Sequence, residues 1–210
     1  MDELEKINKL LNKIDSNTTF LKINSNNIKG EIIFTKFKNI SKLYCYNNNI
    51  TKLIELPNTL KHLNCSSNKN IDLLDLPDTI EYLECEDCCK TSLDMLPSNI
   101  KYLNCSRNQI DNFTNIPFSL EKLYCPHNKI TKLDWLPDGL TELDCSYNPI
   151  SILDNLPSTL IDLNCIFTDI KILDNLPKNI KSINFFGEIP YTPRALKFLN
   201  GKPIDLLNKN

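Results

Sequence analysis

The chain has 210 residues, with 24 Lys+Arg against 26 Asp+Glu, a formal net charge of −2 and 41% hydrophobic residues. Such a chain is too apolar to be disordered and long enough to bury a continuous core. Near-neutral charge, with Arg107 and Arg194 as its only arginines, argues against a nucleic-acid partner, because the fork that grips phosphates and guanine edges is almost absent.

The first segment, MDELEKINKLLNKIDSN, is charged and amphipathic and has no apolar h-region, so no secretory signal is expected. No stretch approaches the roughly 18 consecutive apolar residues of a spanning helix, so no membrane association is expected. These features point to an intracellular, cytoplasmic setting that is reducing, in which nine cysteines are an unusual number. Leu4, Ile7, Leu10, Leu11 and Ile14 make a helical stripe ending at Asp15-Ser16-Asn17, which predicts an N-terminal helical cap over 1–20.

From residue 21 the chain is periodic. Cys45, Cys65, Cys85, Cys105, Cys125, Cys145 and Cys165 recur at one unvarying interval, each two after a leucine, and Phe185 after Ile183 continues the series. Leu-Pro shares the spacing at Pro57, Pro77, Pro97, Pro137, Pro157 and Pro177, with Ile116-Pro117 as a variant. A polar column holds Asn48, Asn68, Asn108, Asn128 and Asn148, with Cys88 and Thr168 in the same register. The alternation x-L-x-C-x reads as a short strand with one buried face. A single strand per repeat has no partner within its own repeat and must pair with its neighbours. So short a unit leaves no room for a crossover helix, and a fixed proline in the return segment disfavours one. The result expected is a solenoid of about eight or nine coils over 21–186, with a parallel sheet along one side.

The unit Leu60-x-x-Leu63-x-Cys65-x-x-Asn68 and its copies resemble the leucine-rich repeat, with cysteine replacing the third leucine. The short Leu-Pro repeats are similar to those of bacterial effector leucine-rich repeat proteins, and the Cys-, Asn- and Lys-rich wording resembles those of amoeba-infecting giant viruses. The resemblance implies an α/β-class, mostly β leucine-rich repeat solenoid, with a curved sheet on its concave side and an extended, turn-rich convex side. It implies protein binding on the concave face and no chemistry.

The copies vary. Leu21, Ile23, Asn26 and Ile28 fit the first copy, but the step from Leu21 to Leu43 is longer than the steps that follow, and Gly30 interrupts. Ile71 comes one place late and Lys90 replaces an isoleucine, slips expected to bulge the turn and spare the strand. After the repeats, Thr192-Pro193 through Leu199-Asn200 and Gly201 carry helix start and stop signals, so a C-terminal cap and tail are expected over 187–210.

Packing is the expected role of the cysteine column, since an inward cysteine behaves as a small hydrophobe. Disulfides between coils, and a zinc site at Cys85-Glu-Asp-Cys88-Cys89, are the alternatives; no second Cys/His pair stands at metal spacing, and no metal or cofactor is expected. Cys89 has no evident role. The asparagines are expected to form a ladder serving backbone groups left unpaired by each turn.

Outward strand positions are the candidate binding surface: Tyr44, Tyr46, His62, Tyr82, Glu84, Glu86, Tyr102, Asn104, Lys122, Tyr124, Glu142, Asp144 and Asp162, with Lys42 and the serines at 66, 106 and 146 among their neighbours. Five of the seven tyrosines fall there, and five carboxylates against Lys42 and Lys122 leave the strip at −3. Tyrosine suits protein interfaces, although it also favours strands for its own sake. Neither histidine has a partner suited to catalysis, so a monomeric, non-catalytic module binding a protein is expected. A structural component with oxidised cysteines, of the virion type, is the alternative.

Overall fold

A computed structural model describes residues 3–171, 173 and 176–185. The C-terminal cap expected over 187–210 and the side chain of Leu4 lie outside the described residues.

Helix α1 (Glu3–Asn12) precedes the strands β1 (Phe20–Lys22), β2 (Lys29–Ile33), β3 (Lys42–Tyr44), β4 (Asn49–Ile54), β5 (His62–Asn64), β6 (Tyr82–Glu84), β7 (Tyr102–Asn104), β8 (Lys122–Tyr124), β9 (Glu142–Asp144), β10 (Asp162–Asn164) and β11 (Ser182–Asn184). All but β2 and β4 join one parallel sheet in the order β1-β3-β5-β6-β7-β8-β9-β10-β11. Each strand has no partner in its own coil, so it bonds to the coils on either side. Register is the repeat itself: Leu43 pairs with Leu63, Leu63 with Leu83, and so on to Leu143 with Leu163 and Leu163 with Ile183.

The strands are short because each coil turns at once. The residue two after the cysteine is left-handed in every regular coil: Asn47, Ser67, Asp87, Arg107, His127, Tyr147 and Phe167 have φ between 52° and 56°. On the return path the proline carbonyl closes a turn, accepting from the amide three residues on, as in Leu60 N to Pro57 O at 3.0 Å and Leu140 N to Pro137 O at 3.1 Å. The leucine, cysteine and isoleucine columns are buried between the sheet and this turn-rich convex side.

Cysteine is more than a small hydrophobe here. Cys65, Cys105, Cys125, Cys145 and Cys165 aim their thiols at a carbonyl of the next strand, at 3.4 to 3.7 Å. Burial raises the pKa values of Cys105, Cys125, Cys145 and Cys165, the last up to about 12, and the Cys88 side chain, then burial, raises that of Cys65, so the thiols stay protonated donors. Cys45 and Cys85 are equally buried. All nine cysteines are free, and no group suited to a metal occurs among the described residues.

The asparagine column stitches coil to coil. Asn68 Nδ2 donates to Cys65 O at 2.9 Å and to Cys45 O at 3.1 Å, while its Oδ1 accepts from Ile50 N at 2.9 Å. Asn48, Asn108, Asn128 and Asn148 repeat the pattern. Cys88 fills the same register with a buried thiol 3.5 Å from Cys65 O, and Thr168 keeps one bond, to Cys165 O at 2.8 Å. Asn26 departs from the column: it is exposed and donates to Asn24 O, because Ser25 and Asn27 are both left-handed and carry it out of line.

The first coil spends its extra length in that turn and at Gly30, whose φ of 81° marks a bulge where β2 pairs with β4 in a second, two-stranded parallel sheet. Helix α1 lays Ile7 and Leu11 on the core, and Lys36 Nζ, 2.7 Å from Ile14 O and 3.1 Å from Leu11 O, serves the carbonyls at its end. The irregular third copy leaves the sheet intact. Lys90 folds inward to bond Ile71 O, and β5 and β6 hold their register.

Candidate protein-binding face

Alternation puts the residues on either side of each core leucine on the concave surface. Tyr82, Tyr102 and His62 precede their leucines; Tyr44, Glu84, Asn104, Tyr124 and Asp144 follow theirs. With parallel strands in register, His62, Tyr82 and Tyr102 stand at like positions and stack, while Tyr124, two places further along its strand, meets Tyr102 at a tilt. His62 lies on Tyr82 with ring centroids 4.4 Å apart and planes 7° from parallel. Tyr82 and Tyr102 follow at 5.8 Å and 26°, then Tyr102 and Tyr124 at 5.3 Å and 38°. One continuous aromatic stack therefore crosses four coils, from β5 to β8.

Tyr44 does not join it. Its ring meets Phe20 edge-on at 5.1 Å, a residue absent from the surface expected from the sequence. Tyr46 lies one residue past the cysteine, half-buried where the turn begins. The serines at 106 and 146, expected to face outward like it, are buried, bonded through their hydroxyls to Asn104 and Asp144. The strand has already ended there, so alternation no longer decides which way a side chain points.

The charged residues gather around the stack. Lys122 Nζ is 2.8 Å from Glu142 Oε2, and the Tyr124 hydroxyl donates to the same carboxylate. These contacts, Lys122 first, hold Glu142 below its usual range. Glu84 accepts from Asn64 Nδ2 at 3.0 Å and is pushed up, first by burial and then by Glu86. Glu86 pairs with Arg107 at 3.2 Å. Asp144 accepts from Ser146 N and Asn164 Nδ2, and Asp162 is exposed. Burial, then Lys42, lowers the pKa of His62. Burial, then Glu84, Glu142 and Glu86, raises that of Tyr102.

A second aromatic stack follows the left-handed column on the rim. His127 and Tyr147 lie 4.1 Å apart at 15°, and Tyr147 and Phe167 lie 4.6 Å apart at 27°. Sequence reasoning misses it, although all three stand immediately before the asparagine register.

Known proteins share this fold. The family model described as Leucine Rich repeats (2 copies) matches residues 119–158. YopM from Yersinia enterocolitica matches with 28% identity over 83% of this chain and a TM-score of 0.66. The chain has the leucine-rich repeat fold. It spans 44% of the length of that YopM chain. The leucine-rich repeat domain of a Shigella effector (22% identity, 94% of this chain and 80% of that one, TM-score 0.51) has the same fold. So does that of APL1 (16% identity, 83% of this chain and 58% of that one, TM-score 0.58). No curated protein matches. Leucine-rich repeat solenoids are in general non-catalytic modules that bind proteins. No helix among the described residues is long and apolar enough to cross a membrane.

Proposed function

We propose that this leucine-rich repeat solenoid is a non-catalytic module that binds a protein partner on its concave face, with His62, Tyr82, Tyr102 and Tyr124 as the anchor and the carboxylates around them selecting a basic surface. The observation that carries the reading is the stack itself. Four rings in contact present a large, rigid, amphipathic area whose side chains have little rotamer freedom left to lose on binding. A monomeric, host-directed role of the effector type, in a cytoplasm, extends this reading and is supported by the short Leu-Pro repeat.

The test is capture of partners by the wild-type chain beside the double variant Tyr82→Ala, Tyr102→Ala and a convex-side control, Phe118→Ala, at an exposed position away from the stack. A partner held by the wild type and the control and lost by the double variant is the expected result. Retention by the double variant, with its circular dichroism unchanged, moves the site off this face.

A further inference from the structure

We propose that Cys88 and Cys65 are a peroxide-sensitive dithiol, which closes a reversible disulfide between the coil of β5 and the coil of β6.

The regular unit places asparagine where Cys88 stands, as at Asn48, Asn68, Asn108, Asn128 and Asn148. That asparagine has two jobs. Its nitrogen donates to carbonyls of its own and the preceding coil, and its Oδ1 accepts amides of the preceding coil, as Asn108 does from Cys88 N at 3.1 Å and Lys90 N at 2.9 Å. Cys88 keeps a share of the first, since its buried thiol lies 3.5 Å from both Cys65 O and Glu86 O. It has no side-chain oxygen for the second, so the turn that precedes it in the stack of coils is tied less firmly than those served by an asparagine. What the exchange adds is a second sulfur beside the cysteine file.

The geometry chooses its partner. Cys85 stands at C-x-x-C spacing within the same coil, yet Cys88 turns across to the preceding coil, where its side chain and that of Cys65 are in hydrogen-bond contact. The contact also separates their roles. The Cys65 thiol first, then the Asn68 amide and the charge of Lys90, hold the Cys88 thiol below its usual pKa against the cost of burial, whereas Cys65 is pushed well up. The thiolate is the nucleophile, so Cys88 attacks and Cys65 resolves.

In the first step the Cys88 sulfur attacks one oxygen of hydrogen peroxide and the O–O bond breaks, giving Cys88 sulfenic acid and a hydroxide that takes up the Cys88 proton as water. In the second, the Cys65 sulfur attacks the Cys88 sulfur, the S–O bond breaks, and the departing hydroxide takes the Cys65 proton as a second water. The two thiols lose two electrons and the peroxide gains them. A peroxide is small enough for the way in: a cleft of about 320 Å³, lined by Asp72, Leu74, Cys89, Lys90, Thr91 and Met95 among others, opens at the exposed Cys89, next in the chain to Cys88. Closing the contact to a bond of about 2.05 Å needs a shift of the turn, which its missing ties permit. Small thiols reopen the bond by exchange.

The test uses the full chain, purified under reductant and then exposed to hydrogen peroxide, with free thiols alkylated in denaturant and linked peptides read by mass spectrometry. Trypsin with a protease that cuts after Asp and Glu separates Cys85 from Cys88 at Glu86 and Asp87, and releases Cys65 on a peptide of its own. The wild-type chain should lose two of its nine free thiols to a single Cys65–Cys88 link that dithiothreitol reverses. Cys88→Asn restores the residue of the ladder, so it should fold and form no link at the same dose. Cys89→Ser should form the link as the wild type does. A link from Cys88 to Cys85 or Cys89, loss of the link in Cys89→Ser, or a dose that oxidises Cys89 while Cys65 and Cys88 both stay free overturns the proposal.

Discussion

A single asparagine per coil holds two turns together, because its side chain reaches backbone groups that the turn leaves unpaired. Asn128 Nδ2 donates to Cys105 O and Cys125 O, each at 3.0 Å, and Oδ1 accepts from Ile110 N at 3.0 Å, all of it buried. Asn128→Ala leaves those groups without partners at a cost of about 3 kcal/mol, from the usual penalty of about 1–3 kcal/mol for a buried unsatisfied group. The melting temperature should fall by several degrees, and Thr168→Ala, which loses one half-buried bond, should fall less. A wild-type melt for Asn128→Ala would remove the ladder from the account of stability. The residue before the asparagine carries the opposite sign of effect. Ser67 holds a φ of 55° and its hydroxyl makes no hydrogen bond among the described residues, so Ser67→Gly should raise the denaturant midpoint by the equivalent of about 1 kcal/mol. A lower midpoint would mean that the left-handed turn carries no strain.

The strand with its turn is where reading the sequence succeeds and where it stops. The leucine, cysteine and asparagine columns repeat in chemistry as well as in position, so their places are legible, and alternation puts the stacked tyrosines on the right side of the sheet. The left-handed column repeats in backbone alone. Asn47, Ser67, Asp87, Arg107, His127, Tyr147 and Phe167 share no side-chain property, so nothing in composition marks them, and the rim stack that three of them form is invisible in the sequence. The buried serines at 106 and 146 escape for a related reason: alternation does not hold one residue past the end of the strand. Two strands of the same sheet shift their carboxylates in opposite directions. On β9, Glu142 is held low by Lys122 and Tyr124, so it adds stability above the pKa of the unfolded chain and loses it as pH falls through its own, lower value. On β6, Glu84 is raised by burial and by Glu86, so its charge costs stability above the unfolded value and the cost is relieved on acidification. A carboxyl titration by nuclear magnetic resonance should give Glu84 the higher midpoint, and Glu84→Gln should be stabilising at neutral pH. The reverse order of midpoints would overturn this account of the strip.

At the scale of the molecule each coil touches mainly the coils beside it, so stability is a sum of local terms joined by interfaces, and opening starts where the interface is weakest. The cysteines report on this directly, since seven of the nine form one buried file along the axis, Cys88 is buried beside them and Cys89 is exposed. The interfaces differ in their stitching. Around Cys125 the Asn128 and Asn148 side chains both bond the cysteine carbonyl, at 3.0 Å and 2.9 Å. At Cys165 the threonine contributes one bond, at 2.8 Å, and no asparagine follows it in the repeat. Under native conditions a maleimide should therefore label Cys89 at once, Cys165 next and Cys125 far later, with all nine thiols reacting only after denaturation. Mass spectrometry of timed samples reads the order. Simultaneous labelling of the seven file cysteines would show that the solenoid opens as one cooperative unit, and fewer than nine thiols after denaturation without reductant would show that the file is oxidised, as the structural-component reading requires.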